Sequence, residues 1–135
     1  MALFNWSNNY SVGVLEIDSQ HKVLVGLIND LHDGMKQGKG KEALGGVLAE
    51  LVRYTVYHFG FEEKILEGAK YPDLVEHKRT HKDLVAQVQK IKSDYEAGKT
   101  VLSMEVMSFL KDWLGNHILG TDKKYSSHLN SKGVS

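Results

Sequence analysis

The 135 residues contain no cysteine. That absence removes disulfides, thiolate nucleophiles, thiolate-held iron–sulfur clusters and covalently attached c-type haem together, and it is compatible with a reducing compartment. A cytoplasmic location is therefore expected. Excess charge is missing too: 17 Lys+Arg balance 17 Asp+Glu, and no block of like charge stands apart. There is no electrostatic case for nucleic acid or for an anionic membrane surface. Long apolar runs are also lacking. The opening MALFNWSNNYSVGVLEID has no basic stretch followed by an apolar one, and no other segment has the apolar length of a membrane span. The chain reads as soluble, with no direct membrane insertion, and its length suits one domain.

What is present is helical periodicity almost everywhere, with glycines and the single proline between the periodic runs. Residues 1–17, rich in Asn and Ser, read as an extended N-terminal arm preceding a bundle domain at 18–135. Asp18 offers an N-cap for a first helix to about Gln37, with Leu24, Val25, Ile28, Leu31 and His21 on one face. A second helix is expected from about Lys41 to Glu67, carrying Val47, Leu51, Tyr54, Phe61 and Ile65 inward. Pro72 suits the first turn of a third, lined by Leu74, Leu84, Val85, Val88 and Ile91. The fourth should start near Thr100 or Ser103, bury Val106, Phe109, Leu110 and Trp113, and stop near Gly120 as a C-terminal cap. A short helix or turn from Asp122 is expected to follow, and the last stretch, SSHLNSKGVS, reads as a fraying end. Short loops favour an all-α, antiparallel up-down-up-down four-helix bundle.

Five of the seven histidines fall on apolar faces. His58 and Glu62 are four residues apart, as are His77 and His81, so each pair lies on one side of its helix. In the expected bundle the start of helix one (His21), the late part of helix two, the early part of helix three and the end of helix four (His117) share one end. Asp122 stands five residues after His117, which turns about 140° on a continuous α-helix. Ending the helix at Gly120 would let the chain turn Asp122 back. Imidazoles and carboxylates gathered in a low-dielectric core are costly unless paired or bound to metal. Soft ligands are absent and seven N/O ligands exceed a tetrahedral zinc, so two metal ions sharing carboxylates fit better. His32 lies about 16 Å further along helix one and reads as a helix-end residue. His128 reads as solvated, and Glu63, about 100° round the helix from Glu62, as solvated or as a support to a ligand.

The set H-x3-E (His58, Glu62, inside HFGFEE), H-x3-H (His77, His81) and H-x4-D (His117, Asp122), preceded by D-x-x-H (Asp18, His21), closely resembles the hemerythrin family from Trp6 to about Tyr125. The resemblance implies two iron ions with a bridging oxo or hydroxo group, and dioxygen as a reversibly bound ligand. Carried over, His77, His81 and His117 hold one iron, His21 and His58 the other, and Glu62 and Asp122 bridge them. The first iron is then closed, and the second has an open position for dioxygen or a small anion such as azide or chloride. Leu24, Phe59, Trp113, Leu114 and Ile118 would wall that position. For Leu24 and Leu114, plain core packing explains the residue equally well, and Tyr54 serves equally as core filling or as a hydrogen bond to a ligand or water. No acid or hydroxyl is evident beside the open position.

An oxygen-binding protein rather than an enzyme is therefore expected, with at most a weak oxidase or peroxidase side activity. The alternative is a di-iron enzyme acting on peroxide, nitric oxide or another small oxidant. A ferritin-like di-iron enzyme would carry E-x-x-H motifs, and none occurs at any histidine. A b-type haem would leave three core histidines and two acids unexplained. The resemblance is compatible with oxygen sensing, as in modules of chemotaxis receptors and other longer signalling proteins, and with storage or delivery. A monomer is expected.

Overall fold

The computed structural model describes residues 3–135, so the first two residues of the predicted arm lie outside the described residues. Four long helices carry the fold: α1 (Leu15–Lys36), α2 (Lys41–Gly68), α3 (Leu74–Glu96) and α4 (Met104–Asn116), with no strand among the described residues. Helix α1 packs on α2, α2 on α3, and α4 returns against α1. The chain is an antiparallel four-helix bundle, and no described helix is long and apolar enough to cross a membrane.

Local chemistry sets the helix ends. After α1, Gly38 takes φ +70°, and Lys39 N–H reaches back to Gly34 O at 3.0 Å while Gly38 N–H bonds Met35 O at 3.1 Å. That paired closure needs a left-handed residue, which glycine adopts without a Cβ clash. Helix α3 ends the same way at Gly98. Ser103, one of the two starts offered for α4, is the cap: its Oγ accepts from Val106 N–H at 3.3 Å.

Three boundaries differ from the sequence expectation. Helix α1 begins at Leu15, ahead of Asp18. The Asp18 carboxylate instead accepts from Ser11 Oγ at 2.5 Å and from Val12 N–H at 2.8 Å, tying the arm to the first turn. Pro72 sits two residues before α3 rather than inside its first turn. At the far end Gly120 is not a left-handed cap. The backbone runs on from α4 through a π turn (His117–Thr121), a 3-10 turn (Asp122–Tyr125) and a short helix α5 (Ser126–Ser131).

The arm is more than an extended lead-in. It contains a 3-10 turn at Asn8–Tyr10, and Phe4, Val12 and Val14 are buried. Asn29 of α1 accepts from Phe4 N–H and donates to Phe4 O, at 2.9 and 2.8 Å. The C-terminal segment closes over it, with Ser126 Oγ donating to Val12 O at 2.6 Å and Asn130 Nδ2 to Gly13 O at 3.0 Å. His128, expected in solvent, bonds Ala69 O through Nε2 at 2.6 Å.

Leu24, Ile28, Leu31, Leu48, Leu51, Leu66, Val88, Met107 and Leu110 fill the bundle axis. Phe109 is 43% exposed, not buried. It lines an open groove between α3 and α4 with Leu84, Gln87 and Trp113, because α4 leans on α1 and leaves that side uncovered. His32 is buried on the α1 stripe.

Candidate metal centre

Each long helix delivers its polar side chains to the same end of the bundle, and the helical period decides which. On α1, His21 is one turn before Leu24 and Val25 on the buried stripe. On α2, His58, Phe59 and Glu62 are buried in consecutive turns, and on α3 His77 and His81 repeat the four-residue step. His117 and Asp122 come from the π turn and the residue after it. The wider π turn closes i to i+5. Asp122 thus falls on the same side as His117, a result that an α-helix denies to a five-residue spacing.

All seven side chains are buried. Glu62, His77, His81, His117 and Asp122 place one ligand atom each within 4.8 Å of one another, and His21, His58, Glu62 and Asp122 do the same. The two carboxylates belong to both sets, and they divide their oxygens between them. Glu62 Oε1 faces His77 Nε2 at 2.6 Å and His81 Nε2 at 3.1 Å, while Oε2 faces His58 Nε2 at 3.1 Å and His21 Nε2 at 3.7 Å. Asp122 Oδ1 faces His117 Nε2 at 3.0 Å and His77 Nε2 at 3.3 Å, while Oδ2 faces His21 Nε2 at 3.1 Å. Every imidazole turns Nε2 inward.

These approaches are mostly not hydrogen bonds. Nε2 of His21, His58 and His117 and both oxygens of Asp122 are buried with no hydrogen-bond partner among the described residues. Unpaired polar atoms in a core are costly. A group of hard and borderline donors aimed at shared points is what one or more metal ions satisfy, and N and O donors of this kind suit iron.

Supporting contacts fix ring orientation. His58 Nδ1 donates to Gln20 Oε1 at 2.7 Å, and His81 Nδ1 to Glu63 Oε2 at 2.7 Å. A carbonyl or carboxylate on Nδ1 fixes the tautomer whose Nε2 lone pair is free for a metal. Phe59 stacks on His81, rings parallel with centroids 3.8 Å apart, and lies 5.5 Å from His117 and 5.7 Å from His58. Leu24, Leu114 and Ile118 are buried in the surrounding core, and Trp113 bridges to α3 by donating Nε1–H to Leu84 O at 3.2 Å. Tyr54 packs beside Tyr57 and makes no hydrogen bond to the cluster among the described residues.

Two participants escaped sequence reasoning. Gln20 serves a histidine on another helix, so no spacing within α1 could reveal it. Tyr125 donates its hydroxyl to Glu62 Oε2 at 3.1 Å, a contact the sequence expectation did not include. Its signal was present in Asp122-x-x-Tyr125, a three-residue step that shares a face on a 3-10 turn.

The titration of the cluster follows from these neighbours. For His21 and His77, burial disfavours the charged form, but Asp122 and Glu62 outweigh it and raise both to about 9. His58 moves down, because burial outweighs its Glu62 contact. Burial alone would raise both carboxyls; the surrounding imidazoles hold Glu62 well below its ordinary value, and His117 and His21 hold Asp122 below its own.

A protein-family profile described as the hemerythrin HHE cation binding domain matches residues 12–129. The chain belongs to the hemerythrin family. The bacteriohemerythrin of Stenotrophomonas maltophilia is 37% identical over 134 residues, covering 96% of this chain and 86% of that protein. The bacteriohemerythrin of Methylococcus capsulatus is 33% identical, covering 97% of this chain and the whole of its own length. A crystal structure of wild-type hemerythrin superposes with TM-score 0.88 at 32% identity, over 95% of this chain and 98% of that one. Hemerythrins are oxygen-binding proteins rather than enzymes, and the His, Glu and Asp cluster of this hemerythrin fits a non-haem iron site.

Proposed function

We propose that the chain binds dioxygen reversibly at an oxo- or hydroxo-bridged di-iron centre. His77, His81 and His117 hold one iron, His21 and His58 the other, and Glu62 and Asp122 bridge the two. The observation that carries the reading is the division of each carboxylate, one oxygen to each histidine set. A three-histidine side and a two-histidine side are unequal, so the vacancy for dioxygen, or for azide or chloride, belongs beside His21 and His58. The bound pair supplies the electrons for reversible oxygen binding; the chain supplies the rest.

Gln20 and Glu63 hold two of the rings in a metal-binding tautomer. Leu24, Leu114 and Ile118, with Phe59 and Trp113, exclude water around the centre, and a dry apolar wall slows loss of reduced oxygen species. The role is oxygen sensing, or storage and delivery, in the cytoplasm, by a monomer or by a module of a longer signalling protein. Anaerobically reduced, iron-loaded protein should take up dioxygen with a visible spectral change and give it back on evacuation. Oxidation without recovery, or turnover of peroxide or nitric oxide at a substrate-saturable rate, supports the enzyme reading instead.

A further inference from the structure

Tyr125 is fully buried, lies outside both histidine sets, and ends on a ligand atom. Its hydroxyl donates to Glu62 Oε2 at 3.1 Å. Of the two Glu62 oxygens this is the one turned to His58 and His21; Oε1 faces His77 and His81 and takes no hydroxyl among the described residues. The phenol therefore distinguishes the two sides of the carboxylate.

The placement is built, not incidental. The 3-10 turn that begins at Asp122 carries Tyr125 onto the same face three residues later. Its ring meets Tyr71 nearly perpendicularly, with centroids 6.2 Å apart, and lies 5.5 Å from the His77 ring. The next residue, Ser126, anchors the segment by donating to Val12 O.

We propose that Tyr125 is a positioning residue that sets the redox balance of the metal on the His21 and His58 side. A hydrogen bond to an anionic ligand oxygen stabilises charge on that oxygen and weakens its donation to the metal, which favours the ferrous over the ferric state. In the dioxygen-binding reading, on which this inference rests, the effect falls on the side with the vacancy. The phenol thus restrains oxidation to an inactive ferric form.

The test compares wild type, Tyr125→Phe and Tyr71→Phe, each loaded with iron and assayed for iron per chain, reduction potential and autoxidation rate in air. Tyr125→Phe should keep both irons, oxidise faster, and favour the ferric state about tenfold, a fall of about 59 mV for a one-electron step. Tyr71→Phe, which removes a hydroxyl from the adjoining ring, should leave potential and rate unchanged. Replacing Tyr125 by 3-fluorotyrosine, a stronger donor of the same shape, should raise the potential, and it keeps the proposal testable if the phenylalanine variant fails to fold. An unchanged potential in Tyr125→Phe or in the fluorinated protein, with both irons bound, overturns the proposal while leaving the di-iron centre standing. Loss of iron from folded Tyr125→Phe overturns it as well, by assigning the hydroxyl to assembly. Failure of wild type to hold paired iron overturns the reading beneath it, a distinguishable result.

Discussion

His117 and Asp122, five residues apart, bring Nε2 and Oδ1 to 3.0 Å across a single turn of π-helix. On an α-helix four residues, not five, return to one face, so the π turn absorbs one residue. Deleting the exposed Gly120 should convert the turn to α and leave the pair four apart, with iron binding retained. Inserting one alanine after Gly120 should rotate Asp122 off the cluster and remove iron. Iron per chain after gel filtration distinguishes the two; the opposite pattern would show that the spacing does not govern the site.

Because each carboxylate faces both histidine sets, carboxylates and histidines should fail differently. Glu62→Ala and Asp122→Ala should lose both metal ions. His21→Ala should lose the ion on its own side first and retain iron held by His77, His81 and His117. Metal analysis with circular dichroism, to show that the bundle persists, checks the contrast.

Gln20 and Glu63 stand outside both donor sets, yet each fixes the ring of a cluster histidine, His58 or His81, through Nδ1. Gln20→Leu and Glu63→Leu should weaken metal affinity roughly 10- to 100-fold, the usual cost of losing such support, while the helical content stays unchanged. Competition against a chelator measures it.

Protonation of the metal-free protein gives a signed prediction. His21 and His77 are raised from 6.5 to about 9. Their stabilising contribution is complete below pH 6.5 and is lost as pH rises through about 9. His58, Glu62 and Asp122 are lowered, so their contributions vanish on the acid side instead. The melting temperature of metal-free protein should therefore fall between pH 6.5 and 9. Metal requires deprotonated imidazoles, so loading at neutral pH should release protons, and the melting gap between loaded and free protein should widen with pH. A flat gap over that range contradicts the assignment.

The bundle and the cluster residues were legible because both follow one rule: polar groups inserted into an apolar helical stripe at steps of four are visible as sequence. His58 with Glu62, and His77 with His81, are the plainest cases. The π turn was not legible. The five-residue mismatch at Asp122 showed that the α-helix must be interrupted, but a broken helix and a widened one place Asp122 equally well, and local propensity does not separate them. Asp18 looked like a cap because caps and arm anchors use the same carboxylate chemistry. Phe109 fits the inward period of α4, and only the lean of that helix towards α1 exposes it. Gln20 acts across helices, where sequence spacing carries no information.

The claim on which everything else depends is that Glu62 and Asp122 join two metal positions in one core. Anaerobic titration of metal-free protein with ferrous iron, followed by absorbance and by metal analysis of the recovered protein, tests it most directly. The division of carboxylate oxygens predicts saturation at two irons per chain, with oxo-bridge absorption after exposure to air. Saturation at one iron per chain, or a preference for a single zinc, would contradict it.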